Sequence, residues 1–254
     1  DLLIKALEHD NNRMYDVTIE DWTEILKRNN NFDAAYIQIG KALYRQGEYE
    51  EAMDFYKDAS EQTNYSIAFK AWRKDWVEKN IFWVLLVVVV VIVLLTKSFG
   101  YIGKKNKAGE TKVGKRTLWE EFLYGFYVMM HPFDGFWDLT HEKRGSFAAA
   151  TTFLVLFLLT DIAQLLFTNF QFINAPLQYI NIFEQAASLL LPFLILCLAN
   201  WSMTTLFDGK GRFIDIYIAM CYALVPYTLI QLPLVFVINI IAADDAAFYT
   251  VLMS

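Results

Sequence analysis

Residues 81–96 read IFWVLLVVVVVIVLLT, a run without a charge, closed by Lys79 on one side and Lys97 on the other. A helix rises about 1.5 Å per residue, so the run and its flanking lysines, whose stems reach back to polar surroundings, cross a hydrocarbon core of roughly 30 Å. The competing reading is a buried strand, because consecutive valines favour the pleated conformation. Strands run about 5 to 6 residues, however, and no Gly, Pro, Asn or Asp punctuates this run. The run therefore predicts a membrane-spanning helix that divides the chain. An extracellular head occupies 1–78, the first span 79–98, a basic loop and an amphipathic interfacial helix 99–131, and a membrane body 132–254.

Composition agrees with that division. Of 254 residues, 56% are hydrophobic and 17% aromatic, which fits a membrane protein better than a soluble one. The net charge of −6 hides an asymmetry: residues 1–80 hold 16 acids against 11 bases, while 97–116 hold seven bases against Glu110 alone. Chain-wide basicity suited to nucleic acid is absent. Cys197 and Cys221 both stand in apolar stretches and read as small hydrophobes, not as a disulfide or a metal pair. No cleavable signal peptide opens the sequence, and Asp1 starts within a helical pattern, so further sequence is expected upstream.

In the head, residues 33–60 read DAAYIQIGKALYRQGEYEEAMDFYKDAS. Small residues at Ala35, Gly40, Gly47, Ala52 and Ala59 alternate with bulky ones at Tyr36, Ile39, Leu43, Tyr49 and Tyr56. Two helices with this pattern can approach closely, with Gly47 making the turn between them. The segment resembles a tetratricopeptide repeat. Stepping back 34 residues places Ala6 under Gly40, Tyr15 under Tyr49, Thr18 under Ala52 and Trp22 under Tyr56, which makes a first, degenerate repeat with Arg13 at the turn and His9 at the place of Leu43. A third helix from about Tyr65 continues as a cap and carries Trp72, Trp76 and Trp83 towards the interface. Two repeats are too few to bury a continuous core, so either more repeats precede Asp1 or the head leans on a partner. The resemblance implies a partner-binding concave face lined by Ile37, Lys41 and Tyr44. A plain spacer is the alternative.

The loop KSFGYIGKKNKAGETKVGKR that follows the span is rich in glycine and lysine. By the positive-inside rule it lies in the cytoplasm, which puts the head outside the cell and makes this a multi-pass plasma-membrane protein. A nucleotide or RNA site on it is the weaker alternative to a topology signal that also touches anionic lipid. Leu118, Trp119, Phe122, Leu123, Phe126 and Met129 then recur at helical spacing opposite Glu120 and Glu121, with Thr117 as cap and His131-Pro132 as stop. Trp119, Phe122 and Phe126, with Trp137 just beyond, are the expected interface anchors. A second span follows at about 146–169, an outer loop without Lys or Arg at 170–183, a third span at about 186–207, and a fourth at about 214–241, bent by Pro226 and Pro233. The apolar tail FYTVLMS suggests one span more.

HPFDGFWDLTHEKRG, Asn200-Trp201, LFDGKG at 206–211 and the Ala-Leu-Val-Pro-Tyr stretch ending at Tyr227 are similar to bacterial members of the Yip (Ypt-interacting protein) family, over 132–254. That resemblance implies a five-helix membrane domain with a cytoplasmic start, in agreement with the topology drawn from charge. It also implies one of two roles, vesicle traffic with small GTPases or accessory work beside carbohydrate importers of the ATP-binding-cassette type.

Little in the chain points to catalysis. DGKG lacks the spacing of a phosphate-binding loop, and His9, His131 and His141 are scattered. No catalytic residue, metal or cofactor is expected. Among intramembrane polar positions, Asp161, Gln164, Asn200 and Gln231, the acid is the costly one, about 15 residues and so about 22 Å into its span. Ser188 or Gln231 could hydrogen-bond it as a clasp between helices, and Asn200 could do the same with Tyr217 or Tyr222. The fold expected is all-α: a short tetratricopeptide-like helical solenoid followed by a polytopic α-helical transmembrane domain with four spans visible. The function expected is a non-enzymatic accessory or scaffold subunit of a multi-protein membrane complex, an importer first, with its permease or solute-binding protein and membrane lipid as partners and no nucleic acid. A small-molecule or ion pathway through Asp161 and the broken fourth span is the alternative, and a small-GTPase trafficking adaptor the next.

Overall fold

Gly47 closes a helix at φ +91°, a conformation open to a residue without Cβ, and Arg13, 34 positions earlier, closes another at φ +57°. These two turns set the start of the fold. The computed structural model describes residues 2–112, 114–173, 181–207, 209 and 211–245, and all its regular elements are helical. They fall into two compact units. The first is built from the described residues up to Leu85 with 168–173 and 237–245, the second from 86–167 with 181–236.

In the first unit, α1 (Leu2–Asn11), α2 (Tyr15–Arg28), α3 (Asp33–Gln46) and α4 (Tyr49–Asp58) each pack on the next, and α5 (Gln62–Glu110) follows. The positions 34 residues apart share one environment. Trp22 and Tyr56 are buried, and so are Ala6, Gly40, Thr18 and Ala52. Tight approach explains the glycine, since a Cβ on Gly40 would stand 2.7 Å from Tyr56 Cε1. Each fully buried side chain of the Ile39 kind contributes about 1.5–3 kcal/mol relative to exposure. His9, unlike Leu43, is polar, and its Nδ1 meets Asp21 Oδ2 at 2.6 Å.

The core of this unit does not end with the head. Ala242 is fully buried in the same cluster as Tyr56, Ala68 and Phe69. Segments 168–173 and 237–245 bind the start of α5 through polar contacts. Gln62 Nε2 donates to the carbonyls of Phe170 and Ile173 at 3.3 and 2.7 Å, and Ala243 N donates to Ser66 Oγ at 2.9 Å. Gln171 ties the two segments together, donating to the Ile241 carbonyl at 2.7 Å and accepting from Ala243 N at 3.0 Å. The closure expected from upstream repeats or a partner is thus supplied, at this end, by the chain itself.

Helix α5 leaves helical geometry at Asn80 (φ −117°, ψ 17°), which marks the junction between the third head helix and the first span. The span was expected to end in a loop at Lys97. Instead the helix runs on to Glu110, through Gly100 and Gly103, and the loop begins only at Thr111. The extension is held by tertiary hydrogen bonds, described below, that outweigh the glycines' cost of about 1 kcal/mol each.

The second unit contains the rest of α5, α6 (Leu118–Met130), α7 (Pro132–His141), α8 (Phe147–Phe167), α9 (Ile182–Leu206), α10 (Phe213–Ala223) and α11 (Val225–Val237). Thr117 and Glu120 form a reciprocal capping box on α6, and Pro132 opens α7, where a missing N–H costs nothing. Among the described residues four helical stretches are long and apolar enough to cross a membrane: α5, α8, α9 and the 213–237 pair α10–α11. The expected break in the last falls at Leu224, just ahead of Pro226. Helix α10 contacts α6, α7, α8 and α9, and the small Ala149 and Ala150 of α8 let Tyr222, Phe153 and Tyr124 fill the centre. Cys197 and Cys221 are free and buried there, as small hydrophobes. The apolar tail 248–254, the loop part 174–180 and Asp208 and Lys210 of the glycine turn lie outside the described residues.

Candidate functional site

On the head, Ile37, Lys41 and Tyr44 are half-buried, and Ile37 and Tyr44 pack against the core. Tyr44 borders a groove of about 590 Å³ whose other wall is α5, with Ile67, Lys70, Arg73, Lys74 and Glu78. Ile37 and Lys41 are not in its lining. Two of the bases in the groove hold acids at the chain's far end: Lys70 Nζ lies 3.2 Å from Asp244 Oδ2, and Arg73 Nη2 donates to Asp245 Oδ2 at 2.8 Å. The Arg73 hydrogen bond keeps the Asp245 carboxyl below the usual carboxylate range. Burial pushes the nearby Tyr65 hydroxyl up.

In the spans, Asp161 Oδ2 accepts a hydrogen bond from Gln185 Nε2 at 3.0 Å. The clasp between α8 and α9 is therefore made by Gln185, one turn from the expected Ser188, whose hydroxyl donates to the Gln185 carbonyl at 2.7 Å. Gln164 is half-buried and Gln231 buried. Asn200 is exposed, and its expected partners are engaged elsewhere: Tyr217 with Thr151 at 3.1 Å, and Tyr222 donating to the Glu121 carbonyl at 2.8 Å.

Of the expected anchors, Trp119 and Trp137 are exposed and Phe126 is half-buried. Phe122 lies between Trp119 and the buried Phe153, with ring centroids 5.6 and 4.7 Å away. The acids expected on the opposite, solvated face are not there. Glu120 is 7% exposed and takes Lys112 Nζ at 2.6 Å, and Glu121 accepts from Ser146 Oγ. The Lys112 bond, then the capping N–H of Thr117, hold the Glu120 carboxyl below its usual range.

A polar cluster that the sequence reading missed surrounds the end of α5. Arg144 is 4% exposed, and its Nη2 donates to the Asn106 carbonyl at 2.8 Å. Its guanidinium lies 4.2 Å from the Tyr124 ring centroid, with Asp138 Oδ2 at 3.6 Å from Nη1. Tyr124 donates to the same Asp138 oxygen at 2.8 Å. Arg116 donates from Nε to the Gly109 carbonyl at 2.9 Å and from Nη1 to the Glu142 carbonyl at 3.0 Å, while Asn106 Nδ2 reaches the Leu123 carbonyl at 3.3 Å. Two guanidiniums thus meet carbonyls near the negative end of the helix, Arg116 at Gly109 in the last turn and Arg144 at Asn106 just before it. The available signal was Arg116 and Arg144 following a helix end; without a tertiary fold nothing joined them to it.

Among the described residues no group of three or more His, Cys, Asp or Glu side chains could hold a metal ion. What the arrangement offers is surfaces and helix clasps. The family described as the Yip1 domain matches residues 126–254. No curated protein and no solved structure matches the chain.

Proposed function

Because the chain belongs to the Yip1-domain family, we propose that it is a membrane-embedded, non-enzymatic scaffold that docks other proteins through a tetratricopeptide-like head and its membrane helices. The observation that carries this reading is the closure of the head. Ala242, within the family's matched stretch, completes the core that also holds Trp22 and Tyr56. Chain segments spent on completing a two-hairpin module, and so leaving the Tyr44 groove open, suit a docking role. The tetratricopeptide reading is supported by the shared burial of Ala6 with Gly40, Thr18 with Ala52 and Trp22 with Tyr56, and by positive φ at both Arg13 and Gly47.

Two partners fit this scaffold. One is the permease or solute-binding protein of a carbohydrate importer, met by an extracellular head at the plasma membrane. The other is a cytoplasmic small GTPase in membrane traffic, which family membership favours at least as well. Topology fixes which part of the chain each could meet: with the head outside the cell, an importer's solute-binding protein meets the head, and a GTPase meets only the cytoplasmic face of the membrane body. Positive-inside charge supports the outside head: seven bases lie in 97–116.

Cysteine labelling in intact cells tests this. Glu48→Cys is exposed on the head and Lys104→Cys is exposed on the basic extension, whereas Asn106 is buried and unsuitable. Labelling of Glu48→Cys from outside alone and of Lys104→Cys from inside alone, with permease recovered on gentle purification, supports the importer. The same labelling with a small GTPase recovered in place of the permease supports the adaptor, and the reverse labelling overturns the outside head and with it the importer. A chain that purifies alone from its native membrane, whichever way it faces, overturns the scaffold.

A further inference from the structure

Between the second half of α5 and α6 runs a groove of about 440 Å³, lined chiefly by Leu94, Lys97, Tyr101, Ile102, Phe122 and Phe126. It sits where the uncharged run ends and the lysines begin, so it straddles the boundary between hydrocarbon and headgroups. No residue of α5 from 81 to 105 is buried, and the groove opens to whatever surrounds the span. The Asn106–Leu123 hydrogen bond of 3.3 Å ties the two walls together.

Position and charge both bear on the occupant. From Leu94 to Ile102 the groove follows α5 for about 12 Å, more than two helical turns. Its apolar walls, Leu94, Ile102, Phe122, Leu123 and Phe126, continue the uncharged run towards the headgroups, and the hydrocarbon chain of a lipid is the apolar group that surrounds the run there. The polar groups of the lining residues are those of Lys97 and Ser98, the Tyr101 hydroxyl and the Trp119 indole N–H, donors all, and Lys105 lies 5.8 Å from the Tyr101 ring centroid. Lys104 and Lys107 follow on the same helix, with Glu110 as the lone acid. An anionic headgroup is the complement of that charge.

We propose that the α5–α6 groove holds one anionic phospholipid, its acyl chain against Leu94, Ile102, Phe122 and Phe126 and its phosphate met by Lys97, Ser98 and Tyr101. The bound lipid fills the space between the walls and supplies the apolar surface that Phe122 and Phe126 lack on that side. The proposal rests on the membrane-embedded fold and not on the partner of the head.

Native mass spectrometry of the full chain, released from nanodiscs of equimolar phosphatidylglycerol and phosphatidylcholine, reads the site. The expected result is one retained phosphatidylglycerol, favoured over phosphatidylcholine by about fivefold or more. Lys97→Gln with Ser98→Ala should bring the ratio near one, and Ile102→Trp, which fills the groove, should lose the lipid of either kind. Both variants alter exposed or half-buried positions, and unchanged helical circular dichroism confirms their folding. Equal retention of the two lipids, or a retained lipid that neither variant disturbs, overturns the proposal. So does a photo-crosslinker at Ile102 that captures a polypeptide in native membranes in place of lipid.

Discussion

Arg73 and Asp245, 172 positions apart in the chain, meet at 2.8 Å, and the same guanidinium donates to the Ile240 carbonyl at 2.8 Å. Exposed ion pairs contribute about 0–1 kcal/mol, whereas a hydrogen bond from a charged group to a fixed acceptor contributes about 1.5–3 kcal/mol. Arg73→Met keeps the stem and removes both bonds. It should lower local stability by about 1–2 kcal/mol, read as roughly tenfold faster amide exchange around Ser66 and Ala243. Asp245→Asn, which leaves the carbonyl bond, should cost less.

Acid should loosen the same contact. The folded Asp245 carboxyl titrates below its ordinary range because Arg73 favours the charged form, and Glu120 does so because of Lys112 and the Thr117 N–H. A lowered folded value contributes stability that is fully present above the unfolded value and is lost as pH falls through the folded one. Exchange protection in both regions should therefore be flat above about pH 5 and decline below about pH 4. Glu120→Gln should remove the acid decline around Leu123 and leave the one around Ala243.

Gly40→Ala should destabilise the head by about 1–3 kcal/mol, because its Cβ would stand 2.7 Å from the ring of Tyr56, which is 2% exposed and has nowhere to move. Gly100→Ala is the control. A Cβ there meets nothing within 4 Å, and alanine should strengthen α5 by up to about 1 kcal/mol. Thermal unfolding in detergent compares the two.

Arg144→Leu removes the guanidinium that spans Asn106 and Asp138, leaving the carboxylate with the Tyr124 hydroxyl alone. Breaking a buried pair in this way costs about 3–5 kcal/mol. Arg144→Lys should recover only part, since an ammonium cannot both reach the carbonyl and stack on Tyr124 as the planar group does. Thermal unfolding of the two variants should rank them accordingly.

Asp161→Asn keeps an oxygen to accept from Gln185, so assembly should remain within about 0.5 kcal/mol of the parent. Asp161→Leu should lose the α8–α9 clasp, worth about 0.6–1.7 kcal/mol between membrane helices. Detergent melting compares them. A loss of function in Asp161→Asn with normal assembly would turn attention back to an ion pathway.

Periodicity and composition made the helices legible, because each rule they use is local. The run 81–96 gave the first span, Thr117 and His131-Pro132 the limits of α6, and the 34-residue step the buried positions Ala6, Trp22, Gly40 and Tyr56. What the sequence hid was tertiary. Lys97 to Glu110 lacks apolar periodicity and reads as loop, yet Asn106, Arg116 and Arg144 hold it helical through contacts spread over 38 positions. Glu120 reads as a solvated acid until Lys112 is folded against it. Asp161 declared a polar partner by its cost, and the sequence reading offered Ser188 or Gln231; Gln185, one turn from Ser188 on the same helix, was not among them, because composition and depth alone do not set the helix rotation that brings it to the acid. Likewise nothing local ties Gln171 or Ala242 to a helix that begins at Gln62.

That last relationship is the centre of the account, and a cysteine pair at Ser66 and Ala243 tests it most directly. The backbone N–H of Ala243 lies 2.9 Å from the Ser66 hydroxyl, and the native Cys197 and Cys221 are buried elsewhere. In native membranes under mild oxidation, Ser66→Cys/Ala243→Cys should form an internal disulfide, seen as a faster-migrating band that reductant abolishes, while each single variant does not. Two thiols that stay separately reactive to maleimide in a membrane-inserted, helical chain would contradict it: the head would then not be completed by the chain's own far segments.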